Sequence, residues 1–260
     1  MLKILKYSFF DLIRSRWSYV YLLFYLGLGS VLLFLNNDLS KAVITLMNVI
    51  TILVPLIGTI FGVMYYYNSK EFTELLLAQP VKRSSIFIGQ YLGVALSLSM
   101  SLIIGLGIPF ALYGLFQSDE IWDFGLLLVT GSFLTLIFTA LAFNIALYNE
   151  NKIKGFSYAI LLWLFMAMIY DGLFLMSLVA FQSYPLDSFS IGATMFNPID
   201  LSRILILLKL DISALLGYTG AVFQKFFGTG LGLFISLLAL ALWVILPVLN
   251  IYRKSKKKDF

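Results

Sequence analysis

Asp171 is the residue best placed to do chemistry in this 260-residue sequence, because it stands alone among the uncharged residues from Gly155 to Leu186. An acid midway along an apolar stretch faces a bundle interior or a water-filled cavity and marks a functional site by default. Two roles stay open for it: proton coupling, or a protonated acid hydrogen-bonded between helices. An intramembrane aspartyl protease would need a second carboxylate at the same depth, and this stretch supplies none. Met166, Met168 and Met176 lie nearby, and thioethers bind Cu(I). Methionine is also an ordinary apolar filler, and on a helix Met166 and Met168 point about 200° apart. No metal site is expected. The sequence contains neither cysteine nor histidine, which removes serine-histidine and cysteine-histidine catalysis, the zinc-ligand patterns and most proton shuttles. No Gly-Lys dipeptide occurs, so a Walker phosphate loop is absent and any ATP dependence must come from another subunit. The chain is therefore expected to hold no catalytic residues and to be no enzyme; transport or assembly is the better starting point.

The elements that must position Asp171 are membrane spans. With 61% hydrophobic and 12% charged residues, the chain reads as a bilayer protein, all-α by its apolar lengths. Between charged residues run six stretches long enough to cross: Trp17 to Asn37, Ala42 to Ser69, Ser84 to Ser118, Phe124 to Asn149, Gly155 to Leu186, and Phe226 to Tyr252. The first lacks a small-residue cleavage site and is expected to be a permanent helix rather than a signal peptide. Six spans put both termini on one side. Lys3, Lys6, Arg14, Arg16, Lys70, Lys82, Arg83, Lys152, Lys154 and the tail Arg253, Lys254, Lys256, Lys257, Lys258 all fall on that side, leaving only Lys41, Arg203, Lys209 and Lys225 opposite. The excess of bases makes it the cytoplasm. The net charge of +5 then needs no nucleic acid as a partner: the basic tail, 253–260, is an anchor to anionic membrane lipids.

Three segments are not simple spans. Residues 2–16 form an amphipathic helix with Leu2, Leu5, Phe9, Leu12 and Ile13 within about 100° of arc, expected to lie flat on the cytoplasmic surface as an elbow. After the second span, Glu71 to Ala78 predicts two turns of helix bearing Leu75, Leu76 and Leu77 at one end, stopped by Pro80. Carboxylates are poor partners for an anionic leaflet, so this helix is expected to dock into a groove on another protein. Between the fifth and sixth spans, Asn197 can cap a helix that Pro198 opens and Asp200 suits, with Leu201, Ile204, Leu205 and Leu208 as its stripe. A second short piece runs from Ile212 to Phe223. Both are too short to cross, and are expected to lie at the outer surface or dip partly into it. Glycine pairs at 58/62, 89/93 and 228/232 predict close helix packing.

This ensemble resembles the permease subunits of type 2 ABC transporters along the whole chain. The most specific stretch is Glu71, Thr73, Glu74, Leu75, Leu76, Ala78, Gln79, Pro80, Val81 and Arg83, followed by Gly89 and Gly93. It is similar to the family segment E-x-x-x-G-T-L-E-L-L-L-A-x-P-V-x-R, with the glycine before the threonine missing. Within that family the chain most resembles the NosY subfamily of the nitrous-oxide reductase maturation system, through E-L-L-L-A-Q-P-V-K-R and the outer N-P-I-D-L-S-R-I-L from Asn197. The resemblance implies a single transmembrane domain over 1–260, with an elbow at 2–16, a coupling region at 68–85 and an outer connection at 184–227. It implies ATPase coupling through Glu71, Thr73, Glu74, Leu75, Leu76, Ala78, Pro80 and Arg83, and an outer gate or periplasmic contact at Asn197, Pro198, Asp200 and Arg203. The implied partners are a NosF-like cytoplasmic ATPase holding ATP and magnesium, a NosD-like periplasmic protein and a second copy of the chain. They would serve copper-site assembly from the bacterial cytoplasmic (inner) membrane, and this chain would bind no cofactor itself. A general exporter of lipid, polysaccharide or drug, and a secondary transporter using Asp171, are the competing classes.

Overall fold

The computed structural model describes residues 1–36, 38–181, 186–209, 223–226 and 228–257. Among them there are helices and turns and no strand, as expected where every backbone polar group must be satisfied within its own segment. Helix α1 (Leu2–Ile13) leads into α2 (Arg16–Asn36) and α3 (Leu39–Asn68); the short α4 (Lys70–Leu77) precedes α5 (Arg83–Leu112) and α6 (Ile121–Tyr148). The next span is continuous but not uniform: α7 (Lys152–Leu164), a π-helical turn at Phe165–Ile169, then α8 (Tyr170–Ala180). Two shorter helices, α9 (Asp187–Met195) and α10 (Pro198–Lys209), precede the last, α11 (Gly230–Lys257). Six helices are long and apolar enough to cross a membrane, so the chain is an all-α membrane protein with six spans. The second short piece expected from Ile212, apart from its last residue Phe223, lies outside the described residues, as does the end of the basic tail.

The third and fourth spans, α5 and α6, are the most covered, and the fifth is the least. Two of the glycine pairs bring helices close together. A Cβ on Gly62 of α3 would stand 2.8 Å from the Ala142 Cβ of α6, and one on Gly93 of α5 would stand 2.6 Å from the Ser8 Cβ and 2.9 Å from the Phe9 nitrogen of α1. No side chain fits between these backbones, which is the packing that small residues allow. The third pair differs. Gly228 closes a turn back onto Gln224, its N–H donating to that carbonyl at 3.1 Å, so it seats no neighbouring helix.

The elbow helix also departs from expectation. Its covered face is Ile4, Ser8 and Leu12, while Leu2 is 76% exposed. The reason is α5: Gly89 and Gly93 open a shallow seat in which the small Ser8 fits where a leucine would not. The elbow is thus packed along α5 rather than simply laid on a surface.

Candidate functional site

Two groups of the sequence-derived residues sit at different levels of the bundle. The first surrounds α4. Pro80 ends that helix and Arg83 opens α5, so α4 is a peg strung between the second and third spans. Its inner face is pinned twice. Thr73 is buried; its hydroxyl donates to the Ser69 carbonyl at 2.8 Å and accepts from the Gln90 amide of α5 at 2.8 Å. Phe72 stacks on Tyr7 of the elbow with ring centroids 4.6 Å apart. The outer face carries Glu71, Glu74, Leu75 and Ala78, all exposed, with Pro80 and Arg83 exposed beyond it and Leu76 half-buried. Leu75 is 68% exposed, which no isolated water-facing helix needs. Lys70 reaches Glu74 at 3.9 Å. Thr73 therefore holds the peg in place, and the remaining residues form the surface that a partner could meet.

The second group brings Asp171 together with the outer motif. Asn197 caps α10, its side-chain oxygen accepting from the Ile199 N–H at 3.1 Å, and Pro198 and Asp200 occupy the first turn. The same Asn197 amide donates to the Met166 carbonyl at 2.8 Å and to Asp200 at 2.7 Å. Met166 lies in the π turn, whose irregular ladder leaves a carbonyl open to an outside donor. Arg203 then reaches Asp171 at 3.1 Å and Asp200 at 3.7 Å.

These pairings fix how the short helices run. Tyr170 donates to the Ala193 carbonyl at 2.6 Å, and Phe174 stacks on Phe189, so α9 descends along the fifth span as its residue numbers rise. From Asn197 beside Met166 to Arg203 beside Asp171, α10 climbs back. The two helix axes bend by 115°, and the tip at Phe196 and Asn197 is tied to the middle of both neighbouring spans, to Met166 on one side and through Trp243, whose indole donates to the Met195 carbonyl at 3.0 Å, on the other. The outer segment is consequently a re-entrant hairpin and not a surface platform. Ile199, Leu201, Ser202, Leu205 and Ile206 are all buried, and α10 packs against α3, α6 and α11; its apolar residues cover more than one stripe, as a helix surrounded by others must.

Asp171 thus has the second carboxylate that the linear stretch lacked, in Asp200. Both face one guanidinium. A protease dyad shares a proton between two acids; here a fixed cation lies against both and offsets one of their charges, which suits a latch. Met168 and Met176 are exposed, whereas Met166 packs against the core. One signal for this cluster lies in the linear sequence: a lone acid in one span and an arginine in a short, mostly apolar helix are natural partners.

No family model matches the chain. Over 226 residues it is 24% identical to the "Probable ABC transporter permease protein NosY" of Stutzerimonas stutzeri, covering 81% of this chain and 78% of that protein. Over 185 residues it is 26% identical to the protein of the same name from Pseudomonas aeruginosa, covering 68% and 67%. The chain resembles ABC transporter permeases. The second span, α3, leads directly into α4 and packs against α10, so it touches both groups of residues.

Proposed function

We propose that this chain is the membrane-spanning subunit of an ABC transporter, driven by a separate NosF-like ATPase and working with a NosD-like periplasmic protein in copper-site assembly of nitrous-oxide reductase. It acts as a homodimer in the bacterial inner membrane, with both termini cytoplasmic. The observation that carries this reading is α4: a short helix between two spans, held from within by Thr73 and Phe72 and presenting Glu71, Glu74 and exposed Leu75 outward. The relatives named as probable ABC transporter permeases support the permease role. The thinly covered fifth span supports the dimer, because Leu173, Leu175, Met176 and Val179 offer an unfilled apolar face to a second copy.

In this scheme an ATPase dimer closing on ATP displaces α4. The Gln90 and Tyr7 contacts make α5 and the elbow follow, and the second span tilts against α10. The hairpin, latched by Arg203 to the fifth span, transmits that tilt toward the periplasmic end. With no cysteine or histidine, the chain passes no copper; it exports a sulfur species or transmits a conformational signal. A general exporter of apolar cargo is favoured by one observation, a cavity of about 690 Å³ walled by Met195, Phe196, Trp243 and Leu246. Detergent extraction and identification of the copurifying subunits separates the readings. An ATPase and a periplasmic protein together support the first, an ATPase alone the exporter, and neither an Asp171-dependent secondary transporter. Glu74→Lys is expected to abolish ATPase association; undisturbed copurification overturns docking at α4.

A further inference from the structure

Beside the peg lies a cavity of about 300 Å³ where α1, α2, α3 and α4 converge. Its walls include Tyr7, Trp17 and Phe72, three aromatic rings, together with Asp11, Tyr65 and Asn68. Asp11 is exposed and forms no ion pair among the described residues, although Lys6 and Arg14 share its helix and line its other flank. Tyr65 is 7% exposed, and its hydroxyl is set beside Ser8 and Asp11. Asn68 accepts from Lys152 of α7 at 3.1 Å, which brings one cation to the rim but leaves Asp11 unmatched. With Glu71 and Glu74 exposed on the adjoining peg, the corner gathers acids on a face otherwise rich in bases.

We propose that this cavity receives one cationic side chain, a guanidinium or an ammonium, from the ATPase that grips α4; the inference rests on the permease reading above. A carboxylate, a buried tyrosine hydroxyl and an aromatic lining are the recognition set for such a group, through charge-assisted hydrogen bonds and cation–π attraction. The volume suits a side chain and not a folded segment. A partner meeting the outer face of α4 passes the mouth of the cavity, and a cation seated there fastens the partner to the elbow and the second span at once, so that α1 and α4 move as a unit.

The absence of cysteine makes the test direct. In the full chain carrying Met64→Cys, a cavity-lining position, the thiol is expected to react about tenfold faster with cationic aminoethyl methanethiosulfonate than with the anionic sulfonatoethyl reagent, each normalised to a free thiol. Asp11→Asn is expected to bring that ratio close to one. In the complex with the copurifying ATPase the thiol is protected, and Asp11→Asn restores its reactivity. Equal rates, or a ratio indifferent to Asp11→Asn, overturn the proposal. An ATPase that copurifies while the thiol reacts as in the free chain overturns the cavity's role and leaves the permease reading standing. Failure of any ATPase to copurify removes both.

Discussion

Replacing Arg203 tests whether the hairpin is latched to the fifth span. In the structure one guanidinium serves two acids, Asp171 at 3.1 Å and Asp200 at 3.7 Å, and Asp200 is only 8% exposed. Arg203→Gln removes a charge-assisted hydrogen bond worth about 1.5–3 kcal/mol and leaves both carboxylates without their cation, Asp200 keeping only its Asn197 bond. Asp171→Asn keeps an acceptor for that bond but removes its charge, and leaves Arg203 its second acid. The ordering follows: Arg203→Gln is more damaging than Asp171→Asn, and adding Asp200→Asn to Arg203→Gln recovers part of the loss. Unfolding of purified protein by SDS titration in mixed micelles gives the energies, and the Asp171/Arg203 double-mutant cycle isolates the pair. A coupling energy above about 0.5 kcal/mol is expected, since residues in one ion-pair network do not add. Additive energies, or Asp171→Asn costing more than Arg203→Gln, would refute the latch. Because the Asn197 and Tyr170 bonds still hold the hairpin tip, all variants are expected to accumulate in the membrane while activity falls.

The elbow seat gives a steric prediction. Gly93→Ala places a Cβ 2.9 Å from the Phe9 nitrogen and 3.0 Å from the Leu5 carbonyl oxygen, backbone atoms that no rotamer change can move, and should destabilise by about 1–3 kcal/mol. Gly107→Ala meets nothing within 4 Å and should be neutral or slightly stabilising in the same titration; equal effects from the two would count against close elbow packing. At the opposite end Ser40 donates to Glu120 at 2.6 Å, and that hydrogen bond holds the Glu120 carboxyl below its usual range. A depressed folded value contributes stability above the unfolded carboxylate range and loses it as pH falls through the folded value. Wild type should therefore exceed Ser40→Ala at neutral pH and converge with it in acid, and a difference that persists in acid would exclude this carboxylate as its source.

Six spans, the peg after the second and the helix opened by Asn197 and Pro198 were legible in the sequence, because apolar length, proline and capping chemistry act locally and need no knowledge of neighbours. The side of the elbow that packs was not: Ile4 and Ser8 outrank Leu2 only once two glycines of a distant helix supply the seat. Nor could local pattern tell a surface helix from a re-entrant one, since α10 carries a stripe either way and its other faces are buried only by α3, α6 and α11. Asp171 shows the division most clearly. Its apolar surroundings marked it as a residue needing a partner. Which partner depended on a π turn in the fifth span that opens the Met166 carbonyl to Asn197 and sets Arg203 level with the acid. The sequence by itself determined that an acid sat within an apolar span and faced the bundle interior or a water-filled cavity; only the tertiary structure decided that an arginine 32 residues away would meet it, because pairing at that separation depends on how whole helices turn back on one another.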